Sequence, residues 1–134
     1  MIKTNEISPL YYSILKYIPS TKSKLNVKIG VAVHYPIEQF SHLYVTDDPM
    51  KIAVCDSEFA HPFFDMVMNA LRYELNCNSQ TKMEKRFSLI NDSEYLKRKT
   101  NYLTKEITFT DVESLAIDKS MYYYVVNQLI KYTA

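Results

Sequence analysis

The chain holds one glycine, no tryptophan and two cysteines in 134 residues. Each scarcity removes a class of chemistry. Phosphate-cradling loops and dinucleotide fingerprints need several glycines, because only a backbone without Cβ approaches the ligand closely enough. With Gly30 alone, a P-loop or Rossmann site is excluded. Cys55 and Cys77 are too few for a disulfide framework or a thiolate zinc cage, so both are expected reduced and half-buried. An excess of one charge is also missing. Sixteen Lys and Arg face fifteen Asp and Glu, a formal net charge of +1. Such a balance supplies no steering field toward nucleic acid or anionic lipid, though a local patch is compatible with it. No apolar run approaches membrane-spanning length, and Met1 to Glu6 lacks the apolar core of a signal peptide. The expectation is a cytosolic protein with no membrane association and no cofactor.

What is present is enough apolar residue, 47%, to build one core in one domain over 1–134. Leu25, Val27, Ile29, Val31, Val33 and Tyr35 alternate with Asn26, Lys28, Gly30, Ala32 and His34, the period of a strand with one buried face. Strands are expected at 10–18, 25–35, 40–46, 51–55 and 107–116, with a turn at Pro19 to Lys24 joining the first two. Asp111 and Glu113 interrupt the alternation of the last strand. Helices are expected at 62–76, 80–90, 93–99 and 119–132. In the first, Pro62 suits the opening turn and Phe63, Phe64, Val67, Ala70 and Leu71 form a stripe. In the second, Met83, Phe87 and Ile90 share one side. In the last, Tyr122, Val125, Val126, Leu129 and Ile130 form the apolar face, and Asp118 or Ser120 caps its start. The fold class is α+β: a mainly antiparallel sheet with helices packed on one face.

Candidate chemistry is sparse. His34, His42 and His61 with Asp47, Asp48, Asp56 and Glu58 are ligand types for zinc or iron, and His34 and His42 could meet across a hairpin. No two histidines have the i, i+4 spacing that presets ligands on a helix, so polar strand residues are the simpler account. Cys55, Asp56 and His61 contain the residue types of a Cys–His pair, but no glycine-lined oxyanion hole lies near. Asp56 and Ser57 read more simply as helix caps, and Asp47-Asp48 before Pro49 as turn residues. Lys82, Lys85 and Arg86, then Lys97, Arg98 and Lys99, with Lys105 and the rings of Tyr95 and Tyr102, could grip a nucleic-acid backbone and stack on bases. Glu84, Asp92, Glu94 and Glu106 dilute that charge.

The twelve tyrosines are the strongest interaction signal. If Tyr122 packs inward, Tyr123 and Tyr124 point away, because neighbours on a helix lie about 100° apart. Tyr11 and Tyr17 share a strand face opposite Tyr12. Tyrosine suits interfaces, burying a large area while keeping a polar tip, although on half-buried surfaces it also replaces Phe and Trp. Tyr17, Lys22, Lys24, Tyr123 and Tyr124 are the candidate partner contacts.

Tyr12-Ser13-Ile14-Leu15-Lys16-Tyr17-Ile18-Pro19, then Val27-Lys28-Ile29-Gly30-Val31-Ala32-Val33, resembles the amino-terminal half of DUF3037, a bacterial family of unknown function. Members tend to read Y-x-x-L-R-Y-x-P and then E-x-x-N-V-G-V-V. Asn101-Tyr102-Leu103-Thr104 and Asp118 are weaker echoes near the other end. The residues carrying the motif are Tyr12, Lys16, Tyr17, Lys28 and Gly30. Lys16 stands where the family has arginine, Lys28 where it has asparagine, and the glutamate is missing, so any polar site of the family is altered here. The resemblance implies an accessory protein, since such products are often encoded beside a HipA-like serine/threonine kinase of toxin–antitoxin or phage-defence type. The expected role is therefore a non-enzymatic, protein-binding regulator, with a homo-oligomer compatible. A nucleic-acid binder using Lys85, Arg86 and Lys97 to Lys99 is the alternative, and a metal-dependent enzyme the second.

Overall fold

The strand alternation builds an antiparallel five-stranded sheet in the computed structural model, which describes residues 7–18, 27–45, 61–81, 83–84, 90–100 and 107–133. In chain order the elements are β1 (Ile7–Tyr17), β2 (Val27–Tyr35), β3 (Phe40–Val45), α1 (His61–Leu75), α2 (Tyr95–Lys99), β4 (Ile107–Phe109), β5 (Glu113–Asp118) and α3 (Tyr122–Thr133). Short 3₁₀ turns occupy Pro36–Glu38, Ser79–Thr81 and Lys119–Met121. β1, β2 and β3 form a meander, and β4 and β5 both return to the free side of β1. This is α+β architecture in one sheet.

Both faces of the sheet are covered, which corrects the expectation of helices on one face. On the first face, Leu15, Tyr17, Ile29, Ala32 and Leu43 pack against Phe64, Met68, Leu71 and Leu75 of α1 and Leu96 of α2. On the second, Leu10, Val31, Val33, Tyr35 and Ile117 pack against Tyr122 and Val126 of α3, with Val125, Leu129 and Ile130 beside them. The α1 side of β2 around Ala32 reads as a solvent face because Gly30, Ala32 and His34 are small or polar. In the fold, Ala32 and His34 are both fully buried. Small residues let neighbouring elements close in, and His34 Nε2 finds a hydrogen-bond partner in the Ile90 carbonyl.

The stripe of α1 is Phe64, Met68, Leu71 and Leu75, whereas Ala70 faces solvent. Expected strand 107–116 is two strands. β4 pairs as Leu15↔Phe109 and β5 as Tyr12↔Glu113, so Ser13 and Ile14 stand opposite Thr110, Asp111 and Val112. That one extra residue is a β-bulge, and it flips the face on which odd-numbered residues fall. Ile107 accordingly joins the α1 side and Ile117 the α3 side. Ser13 Oγ donates to the Thr110 carbonyl and Ile14 N donates to Thr110 Oγ1, so side chains replace the lost ladder bonds.

Expected helix 80–90 is not continuous: the 3₁₀ turn ends at Thr81, and 83–84 is a turn and bend. Met83 is 98% exposed while Ile90 is buried, so they do not share a face. α2 starts two residues later than expected 93–99, and the 119–132 helix opens as a 3₁₀ turn. Asp118 caps that turn, accepting from Ser120 N at 3.3 Å. Expected strand 51–55 lies outside the described residues.

Gly30 sits where β2 carries its own irregularity: Leu15 pairs with Gly30 but Lys16 with Lys28, leaving Ile29 as the extra residue. A Cβ at Gly30 would lie 2.5 Å from the Tyr44 carbonyl oxygen and 3.3 Å from Val45 Cα. The obstacle is backbone of β3, which cannot swing aside. Gly30→Ala is therefore expected to lower stability by about 1–3 kcal/mol through overpacking, read as a lower urea midpoint with an unchanged m-value.

Candidate functional site

Residues two apart in a strand share a face, so Phe40, His42 and Tyr44 of β3 form one aromatic row beside α3. His42 stacks parallel to Phe40 at 6.1 Å between centroids and tilts over Tyr44 at 4.5 Å. Tyr122 closes the row from above. Its hydroxyl shares a hydrogen bond of 2.9 Å with that of Tyr44, and its ring stacks on Tyr35 at 5.7 Å and meets Phe40 edge-on. Tyr123 then packs edge-on against Tyr122 at 5.3 Å, yet its own side chain is 77% exposed. Tyr124 is 60% exposed. Burial pushes the Tyr44 and Tyr122 hydroxyls above the usual tyrosine range and holds His42 below the usual imidazole range. The row is consequently neutral at pH 7. At its margin Lys119 Nζ pairs with Glu38 Oε1 at 2.9 Å. The result is a packed aromatic row from which Tyr123 and Tyr124 extend into solvent.

A polar cluster lies on the opposite face, under α2. Ser41 and Cys77 exchange backbone hydrogen bonds of 2.9 and 3.0 Å, tying the exit of α1 to β3. Ser41 Oγ donates to the Leu75 carbonyl at 2.6 Å and meets the Tyr95 hydroxyl at 3.0 Å. The Tyr95 hydroxyl also lies 3.5 Å from Cys77 Sγ. The Tyr95 ring is 4.5 Å from the His34 imidazole, and Tyr11 stacks on the other side at 5.8 Å. His34 Nε2 is 2.6 Å from the Ile90 carbonyl, which can only accept, so Nε2 carries the proton and donates. Nδ1 is left as a bare acceptor with no partner among the described residues. These are the residue types of a catalytic site. However, His34, Ser41, Cys77 and Tyr95 are each at most 1% exposed. Burial holds the His34 imidazole below its usual range, against the pull of the Ile90 carbonyl and the Asp92 charge, and drives the Tyr95 hydroxyl up. The cluster's work is structural: it fastens α1, β3 and the 90–95 segment together.

The sequence-derived candidates are dispersed by the fold. Tyr17 is 5% exposed inside the α1 core and edge-on to Phe64 at 6.3 Å, so it is no surface contact. The residue alternates to the covered face because α1 packs there. Lys22, Lys24, Lys85 and Arg86 lie outside the described residues. Lys97 is 3.9 Å from Glu94, Arg98 is 3.6 Å from Asp92 and Lys99 is 2.7 Å from Glu74, so the basic run is locally neutralised. Tyr95 is buried and cannot stack on bases. His34 pairs with Ser41 and His42 with Val33, which places the two imidazoles on opposite faces and prevents a shared metal. Among the described residues no group of His, Cys, Asp and Glu could hold a metal ion. The side chain of His61 and all of Asp47, Asp48, Cys55, Asp56 and Glu58 lie outside the description.

Of the family-motif residues, Lys16 and Lys28 stand directly opposite each other across β1 and β2. Tyr12 donates to Glu113 Oε2 at 2.6 Å. Cys77 is fully buried rather than half-buried, because the Ser41 bridge draws it under the sheet edge. The aromatic row Phe40-His42-Tyr44 was readable from spacing of two, but its closure by Tyr122 requires α3 to pack on the face opposite α1. Comparison with known protein families, with characterised proteins and with solved structures returns no match.

Neutral His34 is the form the fold accepts, so its folded pKa lies below the unfolded value. Its contribution to stability is complete above about pH 6.5 and is lost as pH falls from there through the folded value. His42 acts in the same direction. His34→Gln retains an N–H for the Ile90 carbonyl without a titrating ring. Urea denaturation at pH 7 and pH 5.5 is expected to show acid destabilisation of the native protein and a distinctly smaller one in His34→Gln.

Proposed function

We propose that the protein is a non-enzymatic binding module, an accessory or regulator of a protein partner, docking through the amino-terminal end of α3 and the adjacent row of β3. The observation that carries this reading is exposed Tyr123, packed edge-on against Tyr122 beside half-buried Phe40, His42 and Tyr44, with exposed Tyr124 next to it on the helix. Two exposed large aromatics on a rigid helix already anchored by Tyr122 lose little conformational entropy on binding, and such residues dominate interface energies. The sealing of the His34–Ser41–Tyr95–Cys77 cluster favours binding over catalysis, since reactive groups at zero to one per cent exposure meet no substrate.

The resemblance to DUF3037 supplies the partner class: a HipA-like kinase, or another component of a toxin–antitoxin or phage-defence system. Occlusion or restraint of that partner by a preformed surface is the mechanism such a surface supports. A cytosolic setting suits this role, and no described helix is long and apolar enough to cross a membrane. The nucleic-acid alternative has less support, because Lys97, Arg98 and Lys99 each have an acidic neighbour.

The test is purification of the tagged protein from its native host with nuclease treatment, followed by mass spectrometry. A stoichiometric kinase or toxin that survives nuclease is the expected result. Affinity for the purified partner is then expected to weaken at least about tenfold in Tyr123→Ala/Tyr124→Ala, the loss of two exposed aromatic anchors. Recovery of nucleic acid alone, or a partner indifferent to both substitutions, would sink the reading.

A further inference from the structure

The two edges of the sheet are treated differently. At the β3 edge, Ser41 exchanges backbone bonds with Cys77, and Asn76 Oδ1 accepts from Leu43 N at 2.8 Å. That edge is closed by the exit of α1. At the other edge lies β5, with Glu113, Ser114, Leu115 and Ala116 all exposed. Thr110 N donates to the Ile14 carbonyl at 2.9 Å, so the even-numbered residues of β1 turn their backbone groups toward β4 and β5. Tyr12, Leu10 and Ser8 therefore hydrogen-bond Glu113, Leu115 and Ile117. It follows that the N–H and C=O groups of Ser114 and Ala116 point outward, and so does the Asp118 N–H, while the Asp118 carbonyl opens the following 3₁₀ turn. Among the described residues no backbone group outside the sheet meets those of Ser114 and Ala116.

We propose that this edge pairs with the β5 edge of a second copy of the chain, antiparallel about a two-fold axis at Ala116, giving one continuous ten-stranded sheet. The register is selected by the side chains. With Ala116 opposite Ala116, Ser114 stands opposite Asp118, so a hydroxyl faces a carboxylate. Leu115 stands opposite Ile117 on the α3 face, which is apolar against apolar. Glu113 faces the turn that begins at Lys119, one residue past the strand, which brings opposite charges together at both ends of the interface. Shifting the two-fold to Leu115 sets Glu113 against Ile117, and shifting it to Ile117 sets Leu115 against Lys119; both lose the pairing. Glu113 and Lys119 are exposed now, engaged with Tyr12 and Glu38. The first is an exposed hydrogen bond and the second an exposed ion pair, and such surface contacts exchange partners at little cost. One strand per copy is a small interface, so the dimer is weak and forms at high concentration. This inference does not depend on the Tyr123–Tyr124 reading, which concerns another surface.

Sedimentation velocity on the whole chain, from about 10 µM to 1 mM, tests it. Concentration-dependent dimer is expected. Ala116→Pro removes an outward N–H and leaves the β1 ladder intact, since proline is tolerated at an edge. It is expected to weaken association at least tenfold with unchanged circular dichroism. Glu113→Lys sets like charges opposite each other and is expected to weaken the dimer several-fold. Glu113→Lys/Lys119→Glu is expected to restore it, a rescue specific to this register and informative even if the proline variant fails to fold. A chain that stays monomeric to 1 mM overturns the proposal. So does a dimer indifferent to Ala116→Pro and to the charge exchange, or one abolished instead by Tyr123→Ala/Tyr124→Ala.

Discussion

The fold depends on β1. Its eleven residues pair with β2 along one side and with β4 and β5 along the other, so every other strand but β3 is registered against it. Its alternation assigns Leu15 and Tyr17 to the face that receives α1, and Leu10, Tyr12 and Ile14 to the face that receives α3. A strand flanked on both sides and covered on both faces has no freedom to slip, because a one-residue shift would exchange the two cores. The chain nevertheless needs its last strand to serve both cores. The extra residue between β4 and β5 provides for this, letting Ile107 fill one face and Ile117 the other. Ser13 and Thr110 satisfy the backbone groups that the bulge would otherwise strand.

Much of this was legible in the sequence. Strict alternation located β2 and β3, and the i, i+3, i+4 pattern placed Tyr122 inward with Tyr123 and Tyr124 outward. What the pattern could not carry was the second covered face. Gly30, Ala32 and His34 have the sizes and polarities of solvent positions, and burial of His34 depends on the Ile90 carbonyl, 56 residues away. Periodicity reports a side chain's own preference and is blind to distant partners. The same limit explains Tyr17, whose hydroxyl suggests a surface although its ring belongs to the α1 core. It also explains the break in expected strand 107–116. Asp111 and Glu113 signalled an interruption, but a bulge that preserves pairing on both sides cannot be distinguished from a loop by composition.

The two polar or aromatic assemblies differ in exposure: one is sealed, and the other stands beside the exposed Tyr123. Beneath α2, four side chains capable of chemistry are closed off, and their contacts hold α1, the β3 edge and the 90–95 segment together. That seal has a second effect, since it occupies backbone groups of Ser41 and Leu43 at the β3 edge that could otherwise pair with another strand. Beside α3, the aromatic row is only half covered, and the helix that partly covers it also extends two tyrosines into solvent. Rigid support for exposed aromatics is what distinguishes a recognition surface from a loosely packed margin. Here Tyr122 provides that support, through its hydroxyl contact with Tyr44 and its stacking on Tyr35.

The geometry of edge pairing bears on recognition as well. A two-fold axis perpendicular to a continuous sheet keeps the α3 helices of both copies on the same face. α3 lies over β2. Five strand spacings of about 4.8 Å separate the two β2 strands, so the two α3 helices would stand about 24 Å apart across the sheet, facing the same way. A partner that is itself two-fold symmetric could engage both at once. The second contact is then intramolecular, and modest affinity at each aromatic pair is multiplied by effective concentration rather than by new contacts. A weak edge dimer is sufficient for this, because a bound symmetric partner stabilises the paired form by mass action. Under that coupling, the sheet edge and the aromatic surface are two parts of one binding equilibrium, and the small size of each interface is no obstacle to a firm complex.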